Sequence, residues 1–185
     1  MNSKIKSLCE ANLPYPEIRV ERRNPNCARL LSLAYAGQDS ELTSILLYVY
    51  GHQVARGRKP EMLSEALRHI AAVEMRHLNI LGELITLLGG DPRFSADPRG
   101  RVGINTAMLG YASDPAQIIR NALAGENASV RLYNELIRAI DDRYIREILK
   151  RIIKDEEHHV KLFREMAGTS MYNGSRGRES EECRK

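Results

Sequence analysis

Two Glu-x-x-His pairs, Glu74–His77 and Glu156–His159, place a carboxylate and an imidazole three residues apart. On a helix that spacing puts both groups on one face. Two further glutamates, Glu41 and Glu126, fall within apolar helical patterns elsewhere in the chain. Carboxylates and neutral imidazoles are donors suited to iron and to manganese. Four glutamates carry four negative charges, which two divalent cations balance. Glu41, Glu74, His77, Glu126, Glu156 and His159 therefore predict a centre of two metal ions per chain, iron or manganese.

The surrounding residues place these groups on buried seams. One stripe reads Leu63, Leu67, Ile70, Glu74, His77, Leu81, Leu84, Leu88, in alternating steps of four and three. A second reads Ile145, Leu149, Ile152, Glu156, His159, Phe163, Met166, and a third Ile119, Leu123, Glu126, Val130, Tyr133, Ile137, Ile140. The first helix is less regular: Leu30, Ala34, Gly37, Glu41, Ile45, Tyr48, His52. A carboxylate left unpaired on such a seam would protonate or cost several kcal/mol, so four of them require compensation.

The elements that must position them follow from breakers and caps. Residues 1–25 are expected to be irregular, with prolines at 14, 16 and 25. A first helix is predicted from about Asn26 to Val54, then a connection at Arg56-Gly57-Arg58-Lys59. Pro60 suits the first position of a second helix, which ends at Gly89-Gly90. A Pro-, Gly- and Ser-rich crossover runs to Ser113. Asp114-Pro115 starts a third helix reaching about Ile140. After Asp141-Asp142 a fourth runs to about Met166 and stops at Gly168. The expected fold is all-α: a four-helix bundle over 26–168 with a long crossover between the second and third helices, and a polar, disordered tail over 169–185.

Two checks tie ligands to elements. The midpoint of Glu41 and Glu74 falls near Gly57, and that of Glu126 and Glu156 is Asp141. Each pair is thus equidistant from its own hairpin turn, at about 22–25 Å by helical rise. The hairpins also repeat: Glu41-Leu-Thr-Ser44-Ile-Leu-Leu47-Tyr48 matches Glu126-Asn-Ala-Ser129-Val-Arg-Leu132-Tyr133. Tyr48 and Tyr133 are either plain core aromatics or hydrogen-bonding or redox residues beside the metals. Asp155 either supports a metal-bound imidazole from outside, with His77 the expected partner, or faces solvent. Its hairpin counterpart is Val73, so any such support is one-sided. His52, His69 and His158 read as ordinary surface or seam residues.

The totals restrict other readings. At 185 residues, one domain is expected. Cys9, Cys27 and Cys183 form no Cys-x-x-Cys pair, which argues for a reducing, cytoplasmic setting and excludes a rubredoxin-type iron or cysteine zinc site within this sequence. No apolar run reaches membrane-spanning length, and no signal-peptide core is present. The net charge of +4 is spread over helix faces, so neither nucleic acid nor membrane is an expected partner.

One glutamate from each of two helices plus Glu-x-x-His from each of two others resembles the ferritin-like dimetal carboxylate signature. The resemblance spans about Asn26 to Met166 and is closest to rubrerythrin-like, bacterioferritin-like and manganese-catalase-like proteins. The stretches Tyr35-Ala-Gly-Gln-Asp-Ser-Glu41-Leu-Thr and Val73-Glu-Met-Arg-His-Leu-Asn-Ile-Leu-Gly-Glu83 carry it, with Tyr48 seven residues after Glu41. There are departures. No rubredoxin-like cysteine pairs occur, Ser129 stands where rubrerythrins have an extra glutamate, and the tail from Gly168 is poor helix material where cage-forming ferritins have a fifth helix. Met75 follows Glu74 as a haem-binding methionine does in bacterioferritin, but one methionine is a weak signal and haem is not expected.

The resemblance implies chemistry on peroxide or O2. The leading expectation is removal of hydrogen peroxide in oxidative-stress defence, by catalase-like disproportionation or with electrons from a separate donor protein. Ferroxidase or iron-binding activity and a purely structural metal are the alternatives. A homodimer is expected, with Leu31, Leu46, Leu78, Leu87, Leu132 and Leu162 as a second apolar face.

Overall fold

The computed structural model describes residues 5, 7–56, 61–96 and 105–169. Helices α1 (Pro25–Ala36), α2 (Glu41–Arg56), α3 (Glu61–Leu87), α4 (Pro115–Ala139) and α5 (Arg143–Gly168) follow in order, with a short 3-10 turn at Thr106–Met108 before α4. α2 packs along α3, and α4 along α5, as two helical hairpins; α1 lies mainly against α3. No strand occurs among the described residues, and no helix there is long and apolar enough to cross a membrane. Residues 57–59 of the expected Arg56–Lys59 connection, the expected helix start at Pro60, residues 97–104 of the crossover and the tail from 170 lie outside the described residues, and Arg56 is the last residue of α2.

The first helix differs from expectation: it is two helices, broken between Ala36 and Glu41. The Gly37 N–H donates to Leu33 O at 3.0 Å and its backbone turns extended. A Cβ at this position would stand 2.4 Å from Leu33 O, so only glycine fits. Ser40 then restarts the helix, its Oγ accepting from Thr43 N at 3.3 Å. The break resets the helical phase. Leu31 and Tyr35 become core residues, whereas Leu30 and Gly37, on the expected seam, are only half-buried. Glu41 therefore opens α2 rather than sitting in mid-helix.

The other ends follow their residues. Gly89, at φ 85°, terminates α3 in the left-handed region. Asp114 caps α4 through Gln117 N at 2.9 Å. Asp142 caps α5 through Tyr144 N and Ile145 N, and its second oxygen accepts from Glu21 N. That last bond ties the N-terminal segment to the bundle. Residues 5, 7 and 8 are helical where an irregular segment is expected, residues 9–24 are not helical, and the segment is docked rather than idle.

Two apolar clusters fill the bundle, one on each side of the polar seam residues. One holds Leu81, Leu84, Ile145, Leu149 and Ile152. The other holds Leu63, Leu67, Ile70, Phe163 and Met166. Of the residues expected on a second, dimer-forming face, Leu31 and Leu162 are instead buried in this chain's own core, because the phase reset and the close α4–α5 packing cover them. Leu46, Leu78 and Leu132 are half-buried, and Leu87 is exposed.

Candidate metal centre

The structure brings all six expected ligand residues together. Glu41 comes from the start of α2, Glu126 from the middle of α4, and the two Glu-x-x-His pairs from the middles of α3 and α5. All six are buried, none more than 4% exposed. They form two groups, Glu41, Glu74, His77, Glu156 and Glu74, Glu126, Glu156, His159, whose donor atoms lie within 4.8 Å of one another. Glu74 and Glu156 belong to both. His77 Nδ1 lies 2.9 Å from Glu74 Oε2, 3.1 Å from Glu156 Oε1 and 3.5 Å from Glu41 Oε2. His159 Nδ1 lies 3.2 Å from Glu74 Oε1, 3.4 Å from Glu126 Oε2 and 3.5 Å from Glu156 Oε2.

Glu74 Oε1, Glu126 Oε2, both Glu156 oxygens and His159 Nδ1 are buried without a hydrogen-bond partner. Buried polar atoms are ordinarily satisfied, and five unsatisfied ones at a single point are the mark of a site shaped for cations. The outer imidazole nitrogens agree. His159 Nε2 lies 2.7 Å from the Cys9 carbonyl oxygen, which can only accept, so Nε2 carries the hydrogen. His77 Nε2 lies 3.2 Å from Asp155 Oδ2. Both neutral rings would then present a bare Nδ1 to the carboxylates, the form that ligates a metal. The residues fit a dimetal centre.

Without cations the cluster balances its charge with protons. Burial pushes the Glu41 carboxyl well up, reinforced by the Glu74 charge; burial does the same to Glu126, assisted by Glu74 against the pull of His159. For Glu74 and Glu156 burial also raises, but the histidines outweigh it and both end below the usual carboxylate range. Burial lowers His77 and His159, yet the Glu41 charge beside the first and the Glu126 charge beside the second carry both well above the ordinary imidazole value. Protons are thus favoured on Glu41, Glu126 and both imidazoles and disfavoured on Glu74 and Glu156.

An outer layer holds the ligands. Tyr48, on the helix of Glu41, donates to Glu126; Tyr133, on the helix of Glu126, donates to Glu41. The two hydroxyls are thus engaged with carboxylates across the bundle. Asp155 is fully buried and accepts from Ala11 N at 2.7 Å and from the Tyr15 hydroxyl, with Arg151 Nη1 at 2.8 Å. The Tyr15 hydroxyl also lies 3.0 Å from His77 Nε2, and the Tyr15 ring packs under the Arg151 guanidinium at 4.2 Å. Arg151 in turn donates to Leu13 O and Ala11 O. The N-terminal segment is therefore a strap across the outer edges of both imidazoles. Sequence reasoning named Asp155 but missed Tyr15, Arg151 and the Cys9 carbonyl. Arg151, one turn before Asp155 on the buried face of α5, was the available signal; Tyr15 and Cys9 had none.

The remaining histidines lie elsewhere: His52 Nδ1 is 2.9 Å from Ser64 O, and His69 lies 3.9 Å from Glu65. His158 is half-buried and outside both ligand groups. Met75, beside Glu74, is 47% exposed on the outer face of α3. A cavity of about 520 Å3 opens between α2 and α4 and reaches Tyr48.

A family model described as Ferritin-like domain matches residues 37–170. A probable manganese catalase from Clostridium acetobutylicum is 26% identical over 179 residues, covering 86% of this chain and 78% of that protein. KatB, a manganese catalase from Anabaena PCC7120, superposes with a TM-score of 0.74 at 22% identity, over 85% of this chain and 78% of that one. A Rhodobacter capsulatus bacterioferritin gives 0.67 at 22%, over 82% and 88%.

Proposed function

The chain belongs to the ferritin-like domain family, and on that footing we propose that it is a redox enzyme that consumes hydrogen peroxide with a pair of manganese or iron ions. The observation that carries this reading is the two overlapping, buried ligand groups, with five donor atoms that make no hydrogen bond among the described residues. Glu41, Glu74, His77 and Glu156 would hold one ion, and Glu74, Glu126, Glu156 and His159 the other. Such a pair, when bound, cycles between divalent and trivalent states and exchanges two electrons with peroxide. The name of the Clostridium relative favours manganese and disproportionation, in which one peroxide is reduced to water and a second is oxidised to O2.

The chain's own residues supply position and dryness. Glu74 and Glu156 belong to both donor groups and would tie the two ion positions together. Tyr48 and Tyr133 hold Glu126 and Glu41 by one oxygen each, leaving the other oxygen for a metal. The Cys9 carbonyl and Asp155 hold the imidazoles in the ligating tautomer. The apolar clusters around Phe163 and Leu81 close the two ends of the site against water.

The test is oxygen evolution from hydrogen peroxide by manganese-loaded and iron-loaded protein without reductant, beside mineralisation of added Fe(II). Catalytic O2 release by the manganese form is expected. Rapid iron mineralisation with no catalytic peroxide loss in either form would replace this reading with ferroxidase activity. Inertness in both assays would leave only a structural metal.

A further inference from the structure

The ligand set is lopsided. α3 and α5 supply four of the six groups, including both imidazoles, and the strap covers their outer edges through Cys9, Ala11 and Tyr15. α2 and α4 supply one glutamate each, and a cavity lies between them. Tyr48 lines that cavity and donates its hydroxyl to Glu126, so its side chain links the cavity to a candidate ligand. A water molecule occupies about 30 Å3. Hydrogen peroxide would therefore fill a small part of a space of about 520 Å3.

The lining is mixed. Tyr48, Ser44 and Ser129 offer hydroxyls, as do Thr43 and Tyr50, while Leu47, Ile118 and Ala122 are apolar. The charged residues in the lining, Asp39 and Arg131, have opposite signs. That pattern suits a neutral molecule with one polar head and a carbon body. Gly125, beside the ligand Glu126 in the interior of α4, also lines the cavity, and a Cβ there would meet nothing within 4 Å. Glycine weakens a helix interior, and no packing among the described residues requires one at this position.

We propose that the α2–α4 cavity is a substrate site for small organic hydroperoxides, with the peroxide head at Tyr48, Ser44 and Ser129 and the carbon substituent along Leu47, Ile118 and Ala122. This rests on the peroxide reading above and extends its substrate class. In turnover the O–O bond breaks. The hydroperoxide takes up two electrons and two protons and leaves as the alcohol and water. A bound, reduced metal pair would supply the electrons, and an added dithiol would restore them, releasing two protons and becoming a disulfide.

The first experiment needs no metal. Cumyl alcohol, the product of cumene hydroperoxide, is titrated into metal-free protein by calorimetry and by amide NMR. Saturable binding is expected, with shifts at Ala122, Gly125 and Ser129. Gly125→Leu and, separately, Ala128→Leu should each weaken binding by about tenfold or more, as expected for filling a pocket of this size. On metal-loaded protein with dithiothreitol, the ratio of kcat/KM for cumene hydroperoxide to that for hydrogen peroxide should fall about tenfold in the same variants. No saturable binding to the wild type, or undiminished binding in both folded variants, would overturn the proposal even if hydrogen peroxide is consumed. Binding at these residues by a protein inert toward every peroxide would keep the ligand site and remove the peroxide reading instead.

Discussion

The α2–α3 and α4–α5 hairpins bring matching ligands to the centre but surround them differently. Each gives a lone glutamate, a Glu-x-x-His pair and a tyrosine that reaches across to the other hairpin's glutamate. Outside that layer the match ends. His77 faces the buried carboxylate of Asp155; burial raises that carboxyl, but hydrogen bonds from His77, Tyr15, Ala11 N and Arg151 hold it below the usual carboxylate range. His159 faces the neutral carbonyl of Cys9. Val73, the counterpart of Asp155, offers no such group. The difference teaches that the inner six residues share one pattern, whereas the strap, which has no counterpart among the described residues, breaks it. A charged acceptor makes an imidazole a stronger donor than a neutral one does, so the two candidate metal positions would be inequivalent.

The largest expected effect removes what the halves share. Glu156→Gln should empty both positions, and Glu126→Gln only one, as counted by metal analysis of purified protein. Two metals retained per Glu156→Gln chain would dissolve the centre.

Asp155→Asn tests the asymmetry. Affinity at the His77 position should fall roughly 10- to 100-fold, the usual cost of losing such a partner. The His159 position should change far less, making the metal titration biphasic. Equal losses at both would show that the outer layer does not distinguish them.

Acidity acts on both halves alike. In metal-free protein Glu41, Glu126, His77 and His159 are raised, so the folded state binds more protons than the unfolded one and loses stability as pH rises through those values. Glu74, Glu156 and Asp155 are lowered, so their contribution is complete above the ordinary carboxylate range and is lost as pH falls through their depressed values. Metal-free protein should therefore melt highest in mildly acid solution. Metal loading, which displaces protons from the raised groups, should move that optimum upward and weaken as pH falls. An unmoved optimum in thermal melts with and without manganese would contradict this.

Smaller effects probe the tyrosines and the strap. Tyr48→Phe and Tyr133→Phe each remove one hydrogen bond to a buried carboxylate, worth on the order of 1–3 kcal/mol. The two variants should lose comparable stability in the metal-free state; a large inequality would place the asymmetry inside the ligand layer. Cys9→Ala should leave metal content unchanged, because the Cys9 backbone carbonyl rather than the thiol meets His159. Loss of metal in that variant would mean that the thiol participates.

The six clustered glutamates and histidines and most helix ends were legible in the sequence because both are local. Glu-x-x-His on an apolar stripe marks its own helix face, Asp114-Pro115 and Gly89-Gly90 mark their own termini, and the repeated Glu-to-Tyr stretch marks the hairpins. The break at Gly37–Ser40 was written there too, as a glycine followed by a serine cap, but the apolar pattern of Leu30, Ala34 and Gly37 obscured it. Tertiary structure alone decided the partners of Tyr48 and Tyr133, which lie 78 and 92 residues away at Glu126 and Glu41. It alone brought Tyr15 and the Cys9 carbonyl onto His77 and His159. No periodicity encodes those contacts. An irregular strap has no repeating face, and a backbone carbonyl belongs to every residue, so what they touch is settled only when the chain closes on itself.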